Sequence, residues 1–154
     1  MFLFNFLQRK LHNDRGNKNY MKNIIRYFIT ILPFCYMGFI WYLSGKPSDA
    51  VVNTGLRFDT LLKELLHLIE FAILYYLLVL LLSIHGKMTP KNNRLIALLS
   101  IIYGLLDECH QYFVPFRSAT FIDFAKDTIG VLFLWYFVNK INFGRNTYRK
   151  DGIR

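Results

Sequence analysis

The stretch LIALLSIIYGLLDECHQYFVPFR, residues 95–117, changes character halfway along. Leu95 to Leu106 carries no charge, and then Asp107, Glu108, His110, Gln111 and Arg117 crowd the next turns. At a rise of about 1.5 Å per residue the uncharged part covers roughly 18 Å. The hydrocarbon core of a bilayer is about 30 Å thick. A helix here that crosses a membrane must therefore carry its acids and its imidazole in with it.

Composition decides that it crosses. Hydrophobic residues make up 54% of the 154-residue chain and aromatics 18%, against 19% charged residues. A single soluble core of this size cannot hide so much apolar surface, whereas lipid can take the remainder. Membrane lipids are thus the first expected partner. The net charge of +9 raises nucleic acid as another. The positive charges, however, sit in clusters beside apolar runs, the mark of cytoplasmic loops, and form no folded basic face. No nucleic-acid partner is expected.

Reading outward from the central stretch gives four spans, at about 26–43, 61–84, 95–114 and 120–138. They make residues 24–139 one transmembrane domain, with a basic cytoplasmic segment at 1–23 and a basic cytoplasmic tail at 140–154. Residues 1–11 are too short to span, and either lie on the inner membrane surface or fray. Residues 12–19 read as loop, and residues 85–94 as a cytoplasmic turn. A cleaved signal peptide is not expected, because no small-residue cleavage pattern follows the first apolar run. Fourteen of the 19 Lys and Arg fall in the segments assigned inside. The expected fold is therefore an all-α, integral membrane four-helix bundle with both termini cytoplasmic. Cys35 and Cys109 have no metal-ligand spacing and read as small membrane hydrophobes, not as a disulfide.

The second and fourth spans share the defect of the third, and at the same external end. Lys63, Glu64, His67 and Glu70 interrupt one, and Asp123, Lys126 and Asp127 the other. Helical spacing groups them: Lys63, His67 and Glu70 at i, i+4, i+7; Asp107, His110 and Gln111 at i, i+3, i+4; Asp123, Asp127 and Gly130 at i, i+4, i+7. Ionisable groups at that depth are costly and face the interior of a bundle or a wet cavity. Gly130 would let a neighbouring helix come close. The layer holds six acids (Glu64, Glu70, Asp107, Glu108, Asp123 and Asp127) against Lys63, Arg117 and Lys126. That excess must protonate, bind a cation, reach water or meet a cationic ligand.

These residues resemble the VanZ-like family of small bacterial membrane proteins, named for a member linked to resistance to teicoplanin. The matching features are Lys63-x-x-x-His67, Asp107-Glu108-x-His110-Gln111-x-Phe113-x-Pro115, Arg117 and Asp123-x-x-x-Asp127-x-x-Gly130. The resemblance runs from Trp41 to Asn139. It departs at Phe116, where the family often has Gly, and at Asp127, where Asn is usual. It implies a role in the cell envelope and reduced glycopeptide susceptibility, and it supplies no reaction.

Several readings of the polar layer stand side by side. In the plainest, the groups only lock the helices together, with Lys63 and Arg117 neutralising Glu108 or Asp123. In a second, Lys63, His67, Glu70, Asp107, Glu108, His110, Gln111, Arg117, Asp123 and Asp127 form a binding site. Its ligand is a lipid-linked wall precursor, an anionic head group or a glycopeptide. In a third, His67, Glu108, His110 and Asp123 ligate a divalent cation of an intramembrane hydrolase or transferase, with Glu108, His110 and Asp123 as catalytic candidates. No HExxH-type motif accompanies the third reading. Ion or proton transport is a fourth.

Overall fold

The computed structural model describes residues 2–47, 59–115, 117 and 119–150, with side chains at 20–47, 65–115, 117 and 119–144. The described chain is built from four helices: α1 Phe2–Ser44, α2 Asp59–Ile84, α3 Pro90–Tyr112 and α4 Phe121–Lys150. No strand occurs among the described residues. The all-α expectation holds, and the differences lie at the helix ends.

The expected loop at 12–19 is helical, because α1 runs unbroken from Phe2 to Ser44. Those residues are polar but contain no proline, and a lone glycine such as Gly16 costs a helix only about 1 kcal/mol. The stop comes at Gly45, whose N–H donates to the Trp41 carbonyl at 3.2 Å. The expected turn at 85–94 is half as long. Gly86 takes the left-handed conformation, at φ +65°, that closes α2. The Thr89 side chain then caps α3 by accepting from Asn92 N–H at 3.1 Å, and Pro90 occupies the first turn, where its missing N–H is harmless. At its other end α3 stops at Tyr112, before Val114, since the residue preceding Pro115 is pushed out of the α region.

α2 packs against each of the other three helices, most extensively against α4. Its Phe71, Leu74, Tyr75 and Val79 meet Ile40 of α1, Ile96 and Ala97 of α3, and Val131 and Val138 of α4 in one buried cluster. Gly130 is the point of closest approach. A Cβ there would run into the Leu68 carbonyl oxygen, so only glycine lets α4 come this near to α2. Tyrosine hydroxyls tie the helices: Tyr75 to Asn93 Oδ1 at 2.6 Å, Tyr103 to the Met37 carbonyl at 2.7 Å, and Tyr36 to the Glu70 carbonyl at 3.2 Å.

The outer faces are a different surface. Phe28, Ile31 and Phe34 of α1, Leu98 and Leu99 of α3, and Ile129 and Phe133 of α4 are all exposed. Such contiguous apolar surface is foreign to a soluble monomer. Tyr20–Ser44 and Leu65–Ile84 are long and apolar enough to cross a membrane.

Candidate functional site

The polar residues of α2, α3 and α4 meet near the N-terminal end of α4 and form two groups. The first is a closed relay. Asp107, only 1% exposed, accepts from the Ser44 hydroxyl of α1 and, through Oδ2, from Gln111 Nε2 at 2.6 Å. Gln111 Oε1 in turn accepts from Arg117 Nη1 at 3.2 Å. The same guanidinium donates to the Leu43 carbonyl at 2.9 Å and the Lys46 carbonyl at 3.0 Å. It thus sits at the C-terminal end of α1, sharing the Leu43 carbonyl with the Lys46 N–H, where a cation is also favoured by the helix dipole. Arg117 therefore serves α1 and Gln111, and not Glu108 or Asp123 as the sequence reading allowed.

The second group is open. His67 of α2, Glu108 of α3 and Asp127 of α4 bring ligand-type atoms to within 4.8 Å of one another. Glu108 is 6% exposed and Asp127 2%. His67 Nδ1 lies 3.5 Å from Asp127 Oδ1, close enough to attract but without hydrogen-bond geometry. Glu108 Oε1 and both Asp127 oxygens likewise have no hydrogen-bond partner. The other Glu108 oxygen accepts from Thr120 N–H at 3.2 Å, which turns the acid's second face toward the α3–α4 link.

Beside that link lies a groove of about 380 Å³. Leu105 and Tyr112 of α3 and Phe121 and Phe124 of α4 line it, with Glu108 as its charged group. The groove is apolar along its length and acidic at one point.

The remaining candidates take other places. His110, on the same stripe as Asp107, stacks on Trp41 of α1, with ring centroids 4.1 Å apart. Asp123 accepts from the Thr120 hydroxyl at 2.6 Å and from Lys126 at 3.0 Å, while its own N–H donates to Thr120 Oγ1, a capping arrangement that starts α4. Glu70 is partly exposed on α2, one turn beyond His67. The side chain of Lys63 lies outside the described residues.

The sequence model of the VanZ/LLP1 family matches residues 1–142. The chain belongs to that family. No curated protein and no solved structure matches it. VanZ/LLP1 membership and the two apolar helices fit a membrane protein of the cell envelope. All residues of the relay, the open cluster and the groove lie within the VanZ/LLP1 match.

Of the four metal candidates, His67 and Glu108 come together and are joined by Asp127, while His110 and Asp123 point to other partners. Sequence reasoning missed Ser44, Trp41 and Thr120. Thr120-x-x-Asp123 was a readable signal, being a capping-box spacing directly before an apolar run. Ser44 and Trp41 gave none, because nothing in the sequence says which helix faces which.

Proposed function

We propose that the protein is a multi-pass membrane protein whose four helices form a transmembrane bundle with both termini cytoplasmic. In this reading the polar layer lies in the outer leaflet and binds a lipid-linked component of the cell wall. The apolar chain of that component lies in the groove between α3 and α4. Its head group meets Glu108, which accepts from hydroxyl or amine donors, and the neighbouring bases of the layer. Binding of this kind lowers susceptibility to glycopeptides such as teicoplanin, the property carried by the family name.

The observation that supports this most is the double exposure of Glu108. One carboxylate oxygen belongs to the buried cluster with His67 and Asp127, and the residue also lines the apolar groove. A group that only locked helices together would have both oxygens satisfied by the protein. Glu108 does not: Oε1 is buried and unpartnered.

Two substitutions test it, compared at matched protein level in cells challenged with teicoplanin and by mass spectrometry of co-purifying lipids. Glu108→Gln removes the charge and keeps the shape. Leu105→Trp fills the groove and leaves the polar cluster untouched. Both are expected to abolish lipid retention and restore susceptibility while folded yield is kept. Unchanged lipid retention in both variants would sink the reading, and a collapse of yield in Glu108→Gln would favour a purely structural network.

A further inference from the structure

We propose that His67, Glu108 and Asp127 bind a divalent transition-metal ion, with coordination positions left open toward the α3–α4 groove. The three residues come from three different helices, yet their ligand atoms lie within 4.8 Å of one another. Two of them are carboxylates more than nine-tenths buried, with three oxygens between them that accept no hydrogen bond. Burying a charge without full compensation costs several kcal/mol, and the one imidazole beside them cannot offset two carboxylates. A divalent ion supplies it in full: two carboxylates and a neutral imidazole sum with the ion to zero.

Geometry favours an ion over an internal histidine–aspartate pair. A charge-assisted N–H···O bond settles at about 2.7–2.9 Å. His67 Nδ1 and Asp127 Oδ1 are 3.5 Å apart and misaligned. Two ligands held at about 2.0–2.1 Å from one tetrahedral ion lie roughly 3.3–3.4 Å apart. The spacing thus suits two atoms sharing a metal better than two sharing a proton. The donor set selects the class of ion. Imidazole suits zinc and other transition metals, and carboxylates suit manganese and magnesium, so a mixed set points to zinc or manganese. Three protein ligands leave at least one position free, as open metal sites do.

The inference deepens the proposed function: Glu108 belongs both to the cluster and to the groove lining, so an oxygen of a head-group phosphate held in the groove would complete the coordination. The ion itself requires no lipid.

The full chain in lipid nanodiscs is stripped with chelator, titrated separately with zinc, manganese and magnesium, desalted, and assayed for bound metal by elemental mass spectrometry. One zinc or manganese ion per chain is expected. The isosteric changes Asp127→Asn and Glu108→Gln should each weaken binding by roughly a hundredfold or more, since even outer partners of metal ligands are worth 10–100-fold. His85→Ala, which removes an exposed histidine at the far end of α2, should change nothing. Circular dichroism and gel filtration confirm folding; should an acid variant fail to fold, His67→Gln takes its place. Substoichiometric zinc and manganese in folded wild type, or wild-type affinity in folded Asp127→Asn, overturns the proposal. Lipid retention with no bound ion overturns it alone and leaves the lipid reading in place. Stoichiometric ion with no retained lipid upholds it and removes the lipid reading.

Discussion

Gly130 shows how much one position can constrain. Its missing Cβ is what separates α4 from a collision with the Leu68 backbone carbonyl, and a carbonyl cannot swing aside as a side chain can. Gly130→Ala is expected to cost about 1–3 kcal/mol, the usual range for overpacking, read as a lower thermal midpoint in detergent. An unchanged midpoint would mean that the two helices do not approach this closely. Gly130 was legible in advance because it stands three residues after Asp127 on the same helical stripe. The fate of His110 was not. Spacing gives the angle of a side chain around its own helix, and Asp107 and His110 share that angle closely. Which neighbour each then meets depends on how α1 and α2 flank α3. Asp107 finds Ser44, and His110 finds the face of Trp41.

Among the helices, α1 is held at the polar end by Arg117 as well as by Asp107 and His110 of α3. Arg117 donates to the Leu43 and Lys46 carbonyls and to Gln111, so the short link after α3 secures the end of α1. Hydrogen exchange tests this directly. Arg117→Ala should raise exchange in residues 41–47 and leave the cores of α2 and α4 at wild-type protection. Equal protection at 41–47 would show that Arg117 is dispensable there. Helix number and apolar centres could be read from the sequence because four long apolar runs, parted by polar stretches, mark them. The ends could not be read as well. α1 passes through polar residues 12–19 because nothing there forbids a helix, and α3 begins at Pro90 because Thr89 caps it. A hydropathy reading sees neither, since both are backbone events in polar sequence.

Across the described residues, the buried acids gather at one end of the helices and the Lys87–Lys91–Arg94 cluster lies at the other. The C-terminal ends of α1 and α3 and the N-terminal end of α4 meet at Arg117 and Glu108. At the other end Thr30 of α1 lies 2.9 Å from His85, which directly follows α2. Alternating directions follow, and the Lys87–Lys91–Arg94 cluster between α2 and α3 belongs to the end away from the site. If positive charge marks the cytoplasm, the site opens outward. Labelling with a membrane-impermeant maleimide checks this in intact cells. Cys35 and Cys109 are both exposed free thiols, so the background must carry Cys35→Ser and Cys109→Ser. Pro115 and Lys87 are exposed and lie in links at opposite ends. Pro115→Cys should react from outside, and Lys87→Cys only after permeabilisation. The reverse pattern would turn the acids toward the cytoplasm, where no lipid-linked precursor exported to the wall and no extracellular glycopeptide would meet them. Labelling of both from one side would mean that α3 does not cross. Asp107 and Glu108 would then face no hydrocarbon, and the electrostatic need for a buried cation at His67, Glu108 and Asp127 would weaken with it.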